Sequence, residues 1–115
     1  MISKMFRVIP YMRKVVVLTG TSNLHTRLLK YKMGRELYNY IKNNPPQKGD
    51  CAICYEDNQG RYVMWFKDRK VSNDTINHEV RHLIDFIFKY VGEHKTIELQ
   101  AYYTEWLRKE IRKRL

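Results

Sequence analysis

The first strong hydrophobic signal is Val15–Thr19, a β-branched run closed by Gly20, which predicts a buried strand. Thr21, Ser22 and Asn23 then offer helix-capping side chains. Leu24, Leu28, Tyr31, Leu37, Tyr38 and Ile41 follow at mostly helical spacing, so one helix is expected there, with Gly34 a weak point. Pro45 and Pro46 stop it. Cys51–Glu56 and Arg61–Lys67 are apolar, aromatic-rich runs on either side of a short loop ending in Gly60, the pattern of a β-hairpin. Ser72, Asn73 and Asp74 are cap candidates for a further helix. Its apolar stripe is Ile76, Val80, Leu83, Ile84, Ile87 and Phe88, and Gly92 ends it. Thr96 caps a last helix with Glu98 in its first turn, whose core face is Leu99, Tyr102, Tyr103, Trp106, Leu107 and Ile111. The order strand, helix, hairpin, helix, helix reads as an α+β domain.

Composition bounds this picture. A chain of 115 residues with 43% apolar content is the size of one domain and can bury one core, so residues 1–115 are read as a single domain. No apolar run approaches the length needed to cross a bilayer. Arg7, Arg13 and Lys14 interrupt the apolar residues near the start, which leaves no secretory h-region, and a cytoplasmic protein is expected. Lys and Arg number 22 against 12 Asp and Glu, a net charge of +10 that favours an acidic partner such as nucleic acid, an acidic protein surface or anionic lipid. The basic residues are densest between Arg108 and Arg114, where a solvated helix face is the plainer alternative. Cys51 and Cys54 form C-x-x-C without a second pair, and on a strand their side chains point to opposite faces. They read as ordinary thiols.

Chemistry enters with Asn77-His78-Glu79-Val80-Arg81-His82, an H-E-x-x-H motif inside the strongest helix of the chain. Residues four apart share a helix face, so His78 and His82 can bind one Zn²⁺. Glu79 then sits beside the metal as the candidate general base, taking a proton from a zinc-activated water and passing it to the leaving amine. A catalytic zinc needs a third protein ligand. Positions 85 and 88 are Asp and Phe, so the extended H-E-x-x-H-x-x-G-x-x-H arrangement fails. Glu98 is the better candidate, on a helix that folds back after a short turn, and His94 in that turn is the alternative. Asp85 and Glu105 are candidates for orienting a ligand imidazole from behind. Tyr102 or Tyr103 could donate to the developing oxyanion. For each of these, the plain reading is a surface charge or a core aromatic.

The segment from His78 to Leu107 resembles the core of small zincin-like metallopeptidases of bacteriophages, in which an H-E-x-x-H helix is followed by a Glu-x-x-Ala-Tyr helix. Here Glu98-Leu-Gln-Ala101-Tyr102 matches that second element, and Trp106 and Leu107 continue it. The resemblance implies a minimal zincin fold: a short mixed sheet, the motif helix, and a helix bearing a Glu ligand as in gluzincins. It also implies a phage origin, and thus the host cytoplasm or the virion as location. The very basic helix end departs from the family pattern.

Three functions follow as expectations. The first is a zinc metallopeptidase acting on a peptide or protein substrate, which would add itself to Arg61–Lys67 as an edge strand. The second is a noncatalytic basic zincin-fold protein that binds nucleic acid or serves in virion assembly. The third is a DNA-associated protease of the SprT-like kind, disfavoured because no His follows His94.

Overall fold

In the computed structural model of the chain, residues 1–9, 12–57, 59–92 and 97–115 are described. Four strands, β1 (Ser3–Val8), β2 (Arg13–Thr19), β3 (Ala52–Glu56) and β4 (Arg61–Phe66), form one mixed sheet in the order β1-β2-β4-β3. β1 runs antiparallel to β2, β2 parallel to β4, and β4 antiparallel to β3. The expected strand and hairpin are therefore present, with one strand more than the pattern showed. Lys4 and Arg7 break up the apolar positions of β1, as befits a strand paired on one side only. Between β2 and β3 lie α1 (Leu24–Arg27), a 3₁₀ turn (Leu29–Tyr31) and α2 (Arg35–Asn43); α3 (Asn73–Val91) and α4 (Ile97–Arg114) follow β4. The domain is α+β.

Strand pleating sends alternate residues to opposite faces, and both faces are covered. Val15, Val17, Tyr62, Met64 and Phe66 face α3 and α4 and pack on Ile76, Val80, Leu83, Ile84, Leu107 and Ile111. Val16, Leu18, Val63 and Trp65 face α1 and α2 and pack on Leu24, Leu28, Met33, Leu37 and Ile41. Double coverage explains why β2 reads as a continuous apolar run rather than an alternating one.

Two expectations need correction. The single helix from Leu24 to Ile41 is broken: Lys32 and Gly34 both take positive φ, 54° and 87°, and the chain turns there before α2 starts. At Gly34 a Cβ would collide with the Arg61 guanidinium, so the weak point is a close approach as well as a turn. The second correction concerns Arg61–Lys67. Its strand, β4, is paired on both sides, and the strand with a free side next to the motif helix is β3.

Candidate metal centre

The motif helix begins where the sequence places it. Ser72 has extended backbone, and its Oγ accepts the Thr75 N–H at 3.1 Å, one of the donors a helix start leaves without a backbone partner. At the other end Gly92 takes a left-handed φ of 72° and its N–H reaches the Phe88 carbonyl. Ile76, Val80, Leu83, Ile84, Ile87 and Phe88 are all buried against the sheet, which sets the rotation of α3 about its axis. That rotation leaves His78 and His82 exposed on one stripe and turns Glu79 inward, where it is 7% exposed.

The two imidazoles converge. Nε2 of His78 and Nε2 of His82 are 3.3 Å apart, with ring planes at 81°. Two nitrogens that each sit 2.0–2.1 Å from a tetrahedral zinc must be about 3.3–3.4 Å from one another. The pair thus has the spacing of two ligands of one ion, which is also that of a hydrogen bond between the rings, and imidazole suits zinc, copper, iron and nickel alike.

Beside this pair is an open cleft of about 460 Å³ between the start of α3 and the chain entering β3, lined by Asp50, Cys51, Ala52, Asp74, His78 and Glu79 among others. Burial raises the Glu79 carboxyl above its ordinary value, and the His78 and His82 imidazoles pull it back down. Cys54, on the same sheet face as Ala52, is half-buried. Its thiol is pushed well up by burial, then by the negative charge of Glu79 and of Glu56. Cys51 is exposed, and both cysteines are free.

The other candidates lie further away. Glu98 is exposed in the first turn of α4, and among the described residues no three of His, Cys, Asp and Glu gather into a metal-holding group. The structure brings together His78 and His82, with Glu79 beside them, but does not add Glu98. His94 and the cap Thr96 lie outside the described residues. Tyr103 is buried and its hydroxyl donates to the Ile9 carbonyl at 2.9 Å, while Tyr102 is 63% exposed and does not belong to the core face expected of it. Asp85 is exposed, and Glu105 pairs with Lys109 at 3.1 Å. Asp50 and Cys51 also line the cleft, although no local pattern in the sequence marks them as site residues. The only signal for them is that β3 is the sheet edge beside α3, and strand order is a tertiary property.

Comparison with protein-family models, with curated proteins and with solved structures returns no match.

Proposed function

We propose that this chain is a zinc-dependent metallopeptidase-like protein, with His78 and His82 as metal ligands, Glu98 as the third, and Glu79 as general base. The observation that carries the reading is the 3.3 Å spacing of the two imidazole nitrogens on the face of α3 beside a largely buried carboxylate. When bound, zinc supplies Lewis-acid polarisation of a carbonyl and makes water more acidic. The residues of the chain do the rest. His78 and His82 hold and orient; Glu79, one residue past the first ligand, takes a proton from the attacking water and delivers it to the departing amine. Glu98, in the first turn of α4, would be the third residue to hold the ion. The substrate is an extended peptide segment, because β3 is a sheet edge among the described residues and its first residue, Ala52, lines the cleft, where backbone pairing is on offer.

Metal analysis on protein purified without added metal, together with proteolysis of casein, tests this. Wild type is expected to carry near-stoichiometric zinc, and His82→Ala to lose it. Glu98→Ala should bind zinc at least about tenfold more weakly. Glu79→Gln is expected to keep the metal and lose cleavage. Zinc-free wild type even after dialysis against equimolar zinc would end the metal reading; cleavage by Glu79→Gln at the wild-type rate would remove Glu79 from its role.

A further inference from the structure

The proposed peptidase site leaves the densest charge in the chain unused. Arg108, Lys109, Arg112 and Lys113 lie in the second half of α4 as two i, i+4 pairs, which places them in neighbouring rows on one side of the helix. With Asn73 they line a groove of about 420 Å³ at the junction of α4 with the start of α3, and no carboxylate is among its lining residues. Arg112 is pinned across the groove: Nη2 donates to the Val71 carbonyl at 2.9 Å and to Asn73 Oδ1 at 2.7 Å. Lys109 and Lys113 pair with Glu105 and Glu110 at 3.1 and 3.5 Å, but their side chains remain 64% and 68% exposed. Ion pairs that wet contribute little and exchange readily for another anion.

Arg108 also lines a second groove, of about 470 Å³, along the same helix seam. Its walls include Asn77, Ile97, Gln100, Ala101, Thr104 and Glu105, and Oδ1 of Asn77 is buried there without a hydrogen-bond partner among the described residues. The two grooves meet at Arg108, so the cations form one end of a longer track whose other end carries the amides of Asn77 and Gln100, the Thr104 hydroxyl, the Glu105 carboxylate and the apolar Ile97 and Ala101.

We infer that this track is a nucleic-acid site, in which the four cations hold backbone phosphates and the Asn77–Thr104 end faces sugars or bases. A track suits a polymer better than a single phosphate. Guanidinium forks match phosphate oxygens, and the mixed Arg and Lys set supplies position rather than sequence readout. A membrane surface would call for several large apolar side chains beside the cations; the basic groove has none in its lining, and Ile97 is the one large apolar residue in the adjoining groove. An acidic protein would call for an apolar centre, also missing there.

The test uses the full chain and fluorescence anisotropy with labelled single-stranded and duplex DNA of mixed sequence, between about 50 and 200 mM salt. Wild type should bind with log affinity falling steeply against log salt. Arg108→Gln/Lys109→Gln/Lys113→Gln, which leaves the anchored Arg112 in place, should bind at least about tenfold more weakly, with a duplex slope shallower by about 2–3. The exposed pair Lys109→Gln/Lys113→Gln should lie in between. A charge-matched control, Lys30→Gln/Lys32→Gln/Lys42→Gln, sits on the α1–α2 side of the sheet and should stay within about threefold of wild type. Glu79→Gln should bind as wild type does. Equal losses in the groove and control variants would overturn the site, as would wild-type binding without salt dependence. Tighter binding to phosphatidylserine vesicles than to DNA, with the same loss in the groove variant, would overturn it in favour of a lipid surface.

Discussion

Asp57 is a buried carboxylate in a strongly basic protein, and its surroundings explain why it is there. Oδ1 accepts the N–H groups of Gln59 and Arg61 at 2.8 and 3.2 Å, and Oδ2 stands 2.8 Å from Arg61 Nε as an ion pair whose angle makes no hydrogen bond. The side chain thereby closes the β3–β4 turn, and the Arg61 guanidinium it holds is the group that a Cβ at position 34 would meet. Asp57→Ala leaves two backbone donors and a half-buried guanidinium without that partner. A loss of about 2–4 kcal/mol in urea unfolding is expected. A loss under about 0.5 kcal/mol would mean that water replaces the carboxylate freely. The cysteines give a second residue-scale test. Cys54 is half-buried with its thiol pushed up by burial, by Glu79 and by Glu56, whereas Cys51 is exposed. Because the thiolate is the reactive form, iodoacetamide near neutral pH should label Cys51 and spare Cys54 until the chain unfolds. Peptide mass spectrometry reads the ratio, and comparable labelling of both in the folded protein would contradict the burial.

At the scale of elements, α3 shows how far the chain can be read without coordinates. Its apolar stripe, its Ser72 cap and its Gly92 stop are local features, and each appears where the pattern puts it. The facing of His78 and His82 onto one stripe follows from the same period, because the buried positions fix the rotation. What was not legible depends on partners distant in sequence. In the architecture that the resemblance implies β4 is an edge strand, yet it takes β2 on one side and β3 on the other, and β3 is the edge. Gly34 is legible as a weak point, but the full break, with positive φ at both Lys32 and Gly34, and the approach of the Arg61 guanidinium to position 34 are not. Tyr102 fits the helical stripe of α4 by spacing, but Tyr103, with its hydroxyl on the Ile9 carbonyl, holds the interior place. The Ser72 cap also bears on the site, because His78 lies in the second turn behind it. Ser72→Ala should cost about 1 kcal/mol of stability. Fraying of that turn should also weaken zinc binding a few-fold, measurable by competition with a chromogenic chelator. Unchanged zinc affinity alongside the stability loss would show the second turn to be held by packing alone.

For the whole molecule, the candidate ligands sit on two successive elements that share an apolar seam and, among the described residues, the Arg112–Asn73 hydrogen bond. His78 and His82 belong to α3, Glu98 to the first turn of α4, and Leu107 and Ile111 bind α4 to the sheet and to α3 from below. A ligand that bridges two elements stabilises the folded state by its binding free energy, because the unfolded chain holds no such site. Zinc at a hundredfold excess over its Kd should therefore add about 2.7 kcal/mol to unfolding, several degrees in Tm for a domain of this size. Dialysis against a chelator should remove that increment. The variants separate the contributions. His82→Ala should show almost no zinc-dependent shift, and Glu98→Ala a shift reduced by about 1.4 kcal/mol for each tenfold loss of affinity. Leu107→Ala, fully buried on the seam, should lower stability by about 2–5 kcal/mol with or without metal, because it removes packing and touches no ligand. If zinc raises the melting temperature of wild type and Glu98→Ala equally, α4 contributes no ligand and the ion is held from α3 alone. If zinc raises neither, the 3.3 Å approach of the two imidazoles is a ring contact on a helix surface and the metallopeptidase reading fails with it.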